Sequence, residues 1–120
     1  MYDHIGLKVK DLAASVRFYA AALAPFGHVL GSSDKNYAAI GPKGAPALWL
    51  YATSGTSSSG THLAFRAPDR AAVDRFYAAG LKAGGRDNGT PGLRIDYSPD
   101  YYAAFLIDPD ENNVEAVFLK

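Results

Sequence analysis

Apolar positions fall at strand spacing over residues 3–9, "DHIGLKV", then switch to helical spacing at Leu12, Val16, Tyr19 and Leu23. The same switch recurs downstream, with "THLAFRA" at 61–67 followed by Val73, Phe76, Tyr77 and Leu81. Asp11 and Asp69 stand at the two junctions. There a carboxylate accepts from the free amides of a helix's first turn and is favoured by the helix dipole. The first helix is expected to stop near Ala24, because Pro25 disfavours helical geometry in the residue before it and Gly27 follows. The second is expected to stop at Gly84-Gly85. Shorter runs at about 28–32, 36–41 and 46–52 read as strands separated by turns at 31–34 and 41–44. Further along, strands are expected at 86–89 or 93–97, at 101–107 and at 113–119, with "DPDEN" turning the chain between the last two.

The two blocks are copies. His4–Leu23 overlies His62–Leu81 without a gap, and ten of the twenty paired positions are identical. A repeat this long, present twice, does not build a solenoid. The pattern predicts an α+β fold of two βαβββ modules related by a pseudo-twofold. Residues 1–120 form one domain on this reading. Module one covers about 1–53, the polar "SGTSSSG" at 54–60 is a linker, and module two covers about 61–120.

Composition narrows the function. Twelve basic residues balance twelve acidic ones, so no global field favours nucleic acid or an anionic membrane. Cysteine is absent, which removes disulfides, thiol nucleophiles and thiolate metal ligands. No apolar stretch approaches the ~18 residues of a membrane span. The charged, alternating N-terminus is unlike a signal peptide, and a cytoplasmic location is expected.

Both copies open on a histidine, His4 and His62, although the residues around them differ. Glu115 lies inside "NNVEAVFL", where a carboxylate among apolar neighbours needs a partner or a cation. Strand parity puts it on one face with Val117 and Leu119. Two imidazoles and a carboxylate converging on one point make a three-ligand site with open positions, suited to Fe(II), Mn(II) or catalytic Zn(II).

At this point the chain resembles the vicinal oxygen chelate superfamily, which includes glyoxalase I, extradiol dioxygenases, and fosfomycin and bleomycin resistance proteins. The resemblance covers nearly the whole chain. It rests on "DHIGLKVKDLAASVRFYAAAL", "THLAFRAPDRAAVDRFYAAGL" and above all "YYAAFLIDPDENNVEAVF", which is similar to the family's last two strands and their Asp-Pro-Asp turn. It implies that the two modules form a curved mixed sheet around a cavity, with one divalent metal per site (Fe, Mn, Zn or Ni) held by His4, His62 and Glu115. It also implies a homodimer, with each metal site built either within one chain or across two. The family's fourth ligand position falls on Leu48 or Trp49, depending on where a gap is placed, and neither can bind a metal. Glu111 occupies a turn position where the family usually has Gly, so Asn112 or Asn113 is expected to take the positive φ.

Arg94, Tyr97, Tyr101 and Tyr102 precede or open the strand expected beside Glu115. Arg94 can bind a substrate carboxylate or phosphate, and Tyr101 and Tyr102 can donate to a substrate oxygen. The face carrying Tyr101 and the face carrying Tyr102 are both open as the cavity wall. In the first module the choice lies between the Trp49–Tyr51 face and the Leu48–Leu50 face. His28 is expected at a solvent-facing strand start, and Arg17-Phe18-Tyr19 with Arg75-Phe76-Tyr77 as helix packing. The functional expectation is a metal-dependent lyase or dioxygenase acting on a small substrate chelated through vicinal oxygens. The alternative is a metal-independent binding or sequestering protein of the bleomycin resistance type.

Overall fold

The helix starts form where the two aspartates lie. In a computed structural model describing residues 1–120, Asp11 Oδ1 accepts from the Ala14 amide at 3.1 Å and Asp69 Oδ1 from the Ala72 amide at 2.7 Å. These caps open α1 (Leu12–Leu23) and α2 (Arg70–Lys82). A 3-10 turn at Ala24–Phe26, ending on Gly27 at φ 83°, closes α1 where Pro25 predicted a stop. The strands are β1 (Ile5–Val9), β2 (Val29–Ser33), β3 (Tyr37–Gly41) and β4 (Leu48–Ala52). In the second module they are β5 (His62–Arg66), β6 (Arg86–Leu93), β7 (Tyr101–Ile107) and β8 (Asn113–Leu119).

Each module forms its own four-stranded sheet with the same order, β1-β4-β3-β2 and β5-β8-β7-β6, and the same parallel first pairing. This is the expected α+β pair of βαβββ modules. The two sheets do not join. The modules meet through their helices, since α1 packs on β2 to β4, α2 packs on β6 to β8, and α1 packs on α2. A single apolar cluster runs through the contact, from Leu7, Val9 and Leu50 through Phe18, Tyr19 and Phe76 to Leu106 and Val114. Gly80 marks the tightest point. A Cβ there would stand 2.3 Å from Leu106 Cδ1 and 3.3 Å from Phe18 Cε1. No helix is long and apolar enough to cross a membrane.

A polar clasp ties the modules on one side. Asp108, only 2% exposed, accepts from Tyr19 Oη at 2.5 Å, from the Asp110 and Asn112 amides at 2.8 and 2.9 Å, and from Asn112 Nδ2 at 2.9 Å. Burial, then the neighbouring Asp108 charge, raises the Tyr19 phenol above its ordinary value. Asn112 also donates to the Ser58 carbonyl, while Ser58 bonds Lys8 of β1 through both its amide and its Oγ. The linker is therefore laid along the outer edge of β1 and held to the β7–β8 turn.

Four local expectations are corrected. β6 runs unbroken over 86–93, where a strand at 86–89 or at 93–97 was expected. Two register shifts around Gly89 and Gly92 absorb the irregular residues while β7 keeps the pairing. Glu111, rather than Asn112 or Asn113, takes the positive φ at 68°, because Asn112 is committed to Asp108. Leu81 is 38% exposed, because the buried face of α2 runs through Val73, Phe76 and Gly80. His28 is half-buried, with Nδ1 sealed from solvent and unpartnered, and burial lowers its pKa.

Candidate metal and ligand site

Helix packing decides which side of each sheet is left open. In the second module Val114, Ala116, Ala104 and Leu106 face α2 and the core. The opposite face therefore carries His62 and Ala64 of β5, Glu115 and Val117 of β8, and Tyr101, Ala103 and Phe105 of β7. Cross-strand register aligns Ala64, Glu115 and Phe105 in one row.

On that face Glu115 is 2% exposed. His62 Nε2 stands 3.0 Å from its Oε1, and the Tyr101 hydroxyl donates to its Oε2. His62 Nδ1 contacts the Asn113 carbonyl at 3.1 Å, which makes that nitrogen the donor and turns Nε2 toward the carboxylate. Two donor atoms about 3 Å apart suit a shared cation at roughly 2.0–2.2 Å from each. The ring of Phe105 stacks on His62 at 6.4 Å. Burial, then the bond to Glu115, pushes the Tyr101 phenol up to about 12.

The other residues of this wall divide. Tyr97 is 65% exposed and meets Tyr101 edge-on at 5.0 Å. Arg94 lies over the Phe105 ring at 5.4 Å and donates to the Gly92 and Thr90 carbonyls at 2.9 and 2.6 Å. Tyr102 stands on the opposite face, donating to Asp74 of α2 at 2.6 Å beneath the Arg70 guanidinium. That bond to Asp74 raises its pKa. Helix-side placement takes Tyr102 away from Glu115, and Tyr101 is the one beside it.

In the first module Leu48 and Leu50 are buried in the core, so Trp49 and Tyr51 take the open face. There Tyr37, Trp49 and Tyr51 form a row of near-parallel rings at 5.8 and 6.5 Å. Tyr51 lies over Gly6, where a Cβ would come within 2.9 Å of its ring. His4 contacts Asp3 at 2.7 Å and meets Trp49 edge-on at 6.3 Å. Register settles the open alignment. Gly6 pairs with Trp49 as Ala64 pairs with Glu115, so Trp49 holds the place that Glu115 holds in module two.

Within one chain no three ligating side chains gather. His62 and Glu115 form a pair, and His4 stands apart on its own sheet. His4 and His62 do line one cavity of about 390 Å³ between β1 and β5, with Leu23, Ile40 and Leu63 among its walls. His28 lines it too, so all three histidines of the chain reach this space. Sequence reasoning missed Phe105, Asn113 and Tyr37. Phe105 was legible as an alternate-position neighbour of Tyr101, whereas a main-chain carbonyl such as that of Asn113 has no residue-type signal.

A family-level sequence comparison matches residues 2–116 to the Glyoxalase/Bleomycin resistance protein/Dioxygenase superfamily. No curated protein matches the chain. Among solved structures, a glyoxalase/bleomycin resistance protein from Albidiferax ferrireducens T118 is 28% identical, with 98% of each chain covered and a TM-score of 0.87. A lactoylglutathione lyase from Agrobacterium tumefaciens is 18% identical, covering 98% of this chain and 92% of that one, at a TM-score of 0.68. The oxidase ChaP-H2 is 17% identical over the same shares, at 0.70. At that identity the last two speak for the fold alone, and their different chemistries sit on one scaffold.

Proposed function

Since the chain belongs to the glyoxalase/bleomycin resistance protein/dioxygenase superfamily, we propose that it is a divalent-metal-dependent enzyme acting on a small substrate held through two adjacent oxygens. The metal ligands are His62 and Glu115 of one subunit and His4 of its partner in a homodimer. The observation that carries this reading is the buried Glu115 carboxylate, set against His62 Nε2 at 3.0 Å on an open face. The imidazole's other nitrogen is engaged by the Asn113 carbonyl, the arrangement that orients metal-binding histidines. His4 holds the symmetry-equivalent strand position in module one, yet no third ligand joins the pair within the chain. β5, and β1 outside its Lys8–Ser58 contact, are sheet edges, and such edges favour a partner strand or chain.

A divalent ion at this position supplies a Lewis acid that polarises a chelated substrate and stabilises negative charge on its oxygens. The chain's own residues bind and orient. Tyr101 fixes the Glu115 carboxylate through Oε2, leaving Oε1 toward His62 and the ion. Its phenol, pushed up to about 12, stays protonated and a donor through the neutral range. Phe105, stacked on His62, shields one side of the pair. Arg94, half-buried over Phe105, is placed to meet an anionic substrate group by exchanging one of its carbonyl contacts.

One observation favours a second reading. Tyr101 already donates to Glu115, and an imidazolium at His62, donating from both nitrogens, would satisfy the carboxylate without a cation. A metal-independent small-molecule binder would look the same. Elemental analysis of protein purified without an affinity tag separates the two. The enzyme reading expects a first-row divalent metal approaching one equivalent per subunit, and metal-free protein that resists loading would contradict it.

A further inference from the structure

Trp49 occupies in module one the position that Glu115 occupies in module two. It cannot ligate, yet it touches a ligand, since its ring meets His4 edge-on at 6.3 Å with the planes at 64°. Any ion held by His4 therefore lies in the neighbourhood of Trp49, whichever chain supplies the other ligands. The indole is also fixed. Tyr37 and Tyr51 flank it at interplanar angles of 18° and 17°, Tyr37 is tethered to Ser32 Oγ at 3.1 Å, and Tyr51 rests on Gly6. A fixed, half-exposed aromatic ring beside a metal, standing where a further protein ligand would close the coordination sphere, does two things. It leaves adjacent coordination positions to the substrate, and it offers a flat apolar surface to whatever skeleton carries the chelating oxygens.

We infer that Trp49 determines specificity, and that the substrate is a chelator whose two adjacent oxygens sit on a flat, conjugated skeleton that stacks against the Tyr37–Trp49–Tyr51 row. This rests on the proposed metal site, and the test keeps the two separable. Trp49 is the chain's single tryptophan, so its fluorescence reports on this position alone.

The experiment loads untagged protein with Zn²⁺, measures the retained metal, and titrates by calorimetry two chelators that bind through adjacent oxygens, with Trp49 fluorescence followed in the wild type. One is 4-nitrocatechol, with a planar ring, and the other is acetohydroxamate, with none. The proteins are wild type, Trp49→Ala and Trp49→Phe, with folding checked by circular dichroism. The expected result is quenching of Trp49 by 4-nitrocatechol in the wild type. Trp49→Ala should weaken 4-nitrocatechol at least 10-fold and acetohydroxamate less than 2-fold at unchanged zinc content, and Trp49→Phe should recover most of the loss. Equal weakening of both chelators, or of neither, overturns the role of Trp49 while leaving the metal site standing. Wild-type protein that retains no zinc overturns the site and this inference together.

Discussion

Replacing Tyr19 with Phe removes one hydroxyl from a fully buried contact between the modules and leaves the ring in place. The lost group donates to Asp108 Oδ2 at 2.5 Å, and that oxygen then keeps only Asn112 Nδ2 at 2.9 Å. A hydrogen bond to a charged, buried acceptor contributes about 1.5–3 kcal/mol. For a chain of this size that corresponds to a loss of roughly 6–12 °C in Tm. The sign of the pH dependence follows from the raised phenol. A group whose folded pKa lies above its unfolded value stabilises fully below the unfolded value, about 10 for tyrosine, and loses that contribution as pH rises past it. At pH 11 the wild type should lose about 1.4 kcal/mol that the variant never had, so the gap between them narrows by that amount. Urea unfolding of both proteins at pH 7 and pH 11 measures this. A pH 7 difference under about 0.5 kcal/mol, well below the usual worth of such a bond, would refute the reasoning. So would a gap that does not shrink at pH 11.

Glu115→Gln keeps volume and loses charge, so divalent-metal affinity should fall by at least about 10-fold while the circular dichroism spectrum is unchanged. Calorimetric titration with Zn²⁺ checks it, and undiminished affinity removes Glu115 from the ligand set. Gly80→Ala should lower stability by about 1 kcal/mol, because overpacking against Leu106 and Phe18 outweighs the roughly 1 kcal/mol gained in helix propensity. A rise in Tm would show that the α1–α2 contact yields more readily than its packing indicates. In a spectrophotometric titration, Tyr101→Phe should remove a phenol that ionises near 12. An absorbance change at ordinary tyrosine pH instead would place Tyr101 away from the carboxylate.

The repeat made the module architecture legible because its carriers are local. Asp11 and Asp69 cap helices within three residues, and the apolar stripe behind each is read along a single helix. Non-local relations were not legible. Parity groups Tyr101 with Phe105 and Tyr102 with Leu106, but only the packing of α2, seen in the Tyr102–Asp74 bond, decides which group faces the core. The equivalence of Trp49 and Glu115 was hidden because the modules differ in loop length, and only strand register removes the gap. The separation of His4 from the His62–Glu115 pair depends on how α1 meets α2, a contact between two helix surfaces that periodicity does not encode. β6 misled for a simpler reason. The expected strand lay at 86–89 or 93–97, whereas pairing with β7 holds 86–93 as one irregular strand.

The most direct test of the shared metal site is complementation between two defective chains. His4→Ala and Glu115→Ala proteins are each analysed for metal, then mixed in equal amounts, refolded together and analysed again, with dimer content followed by sedimentation. Each variant alone should retain no metal. If His4 acts on a partner's His62 and Glu115, every mixed dimer regains one intact site, and random pairing restores about a quarter of the wild-type metal content. Well-folded mixed dimers that recover no metal would contradict the account and place any ligand set within a single subunit.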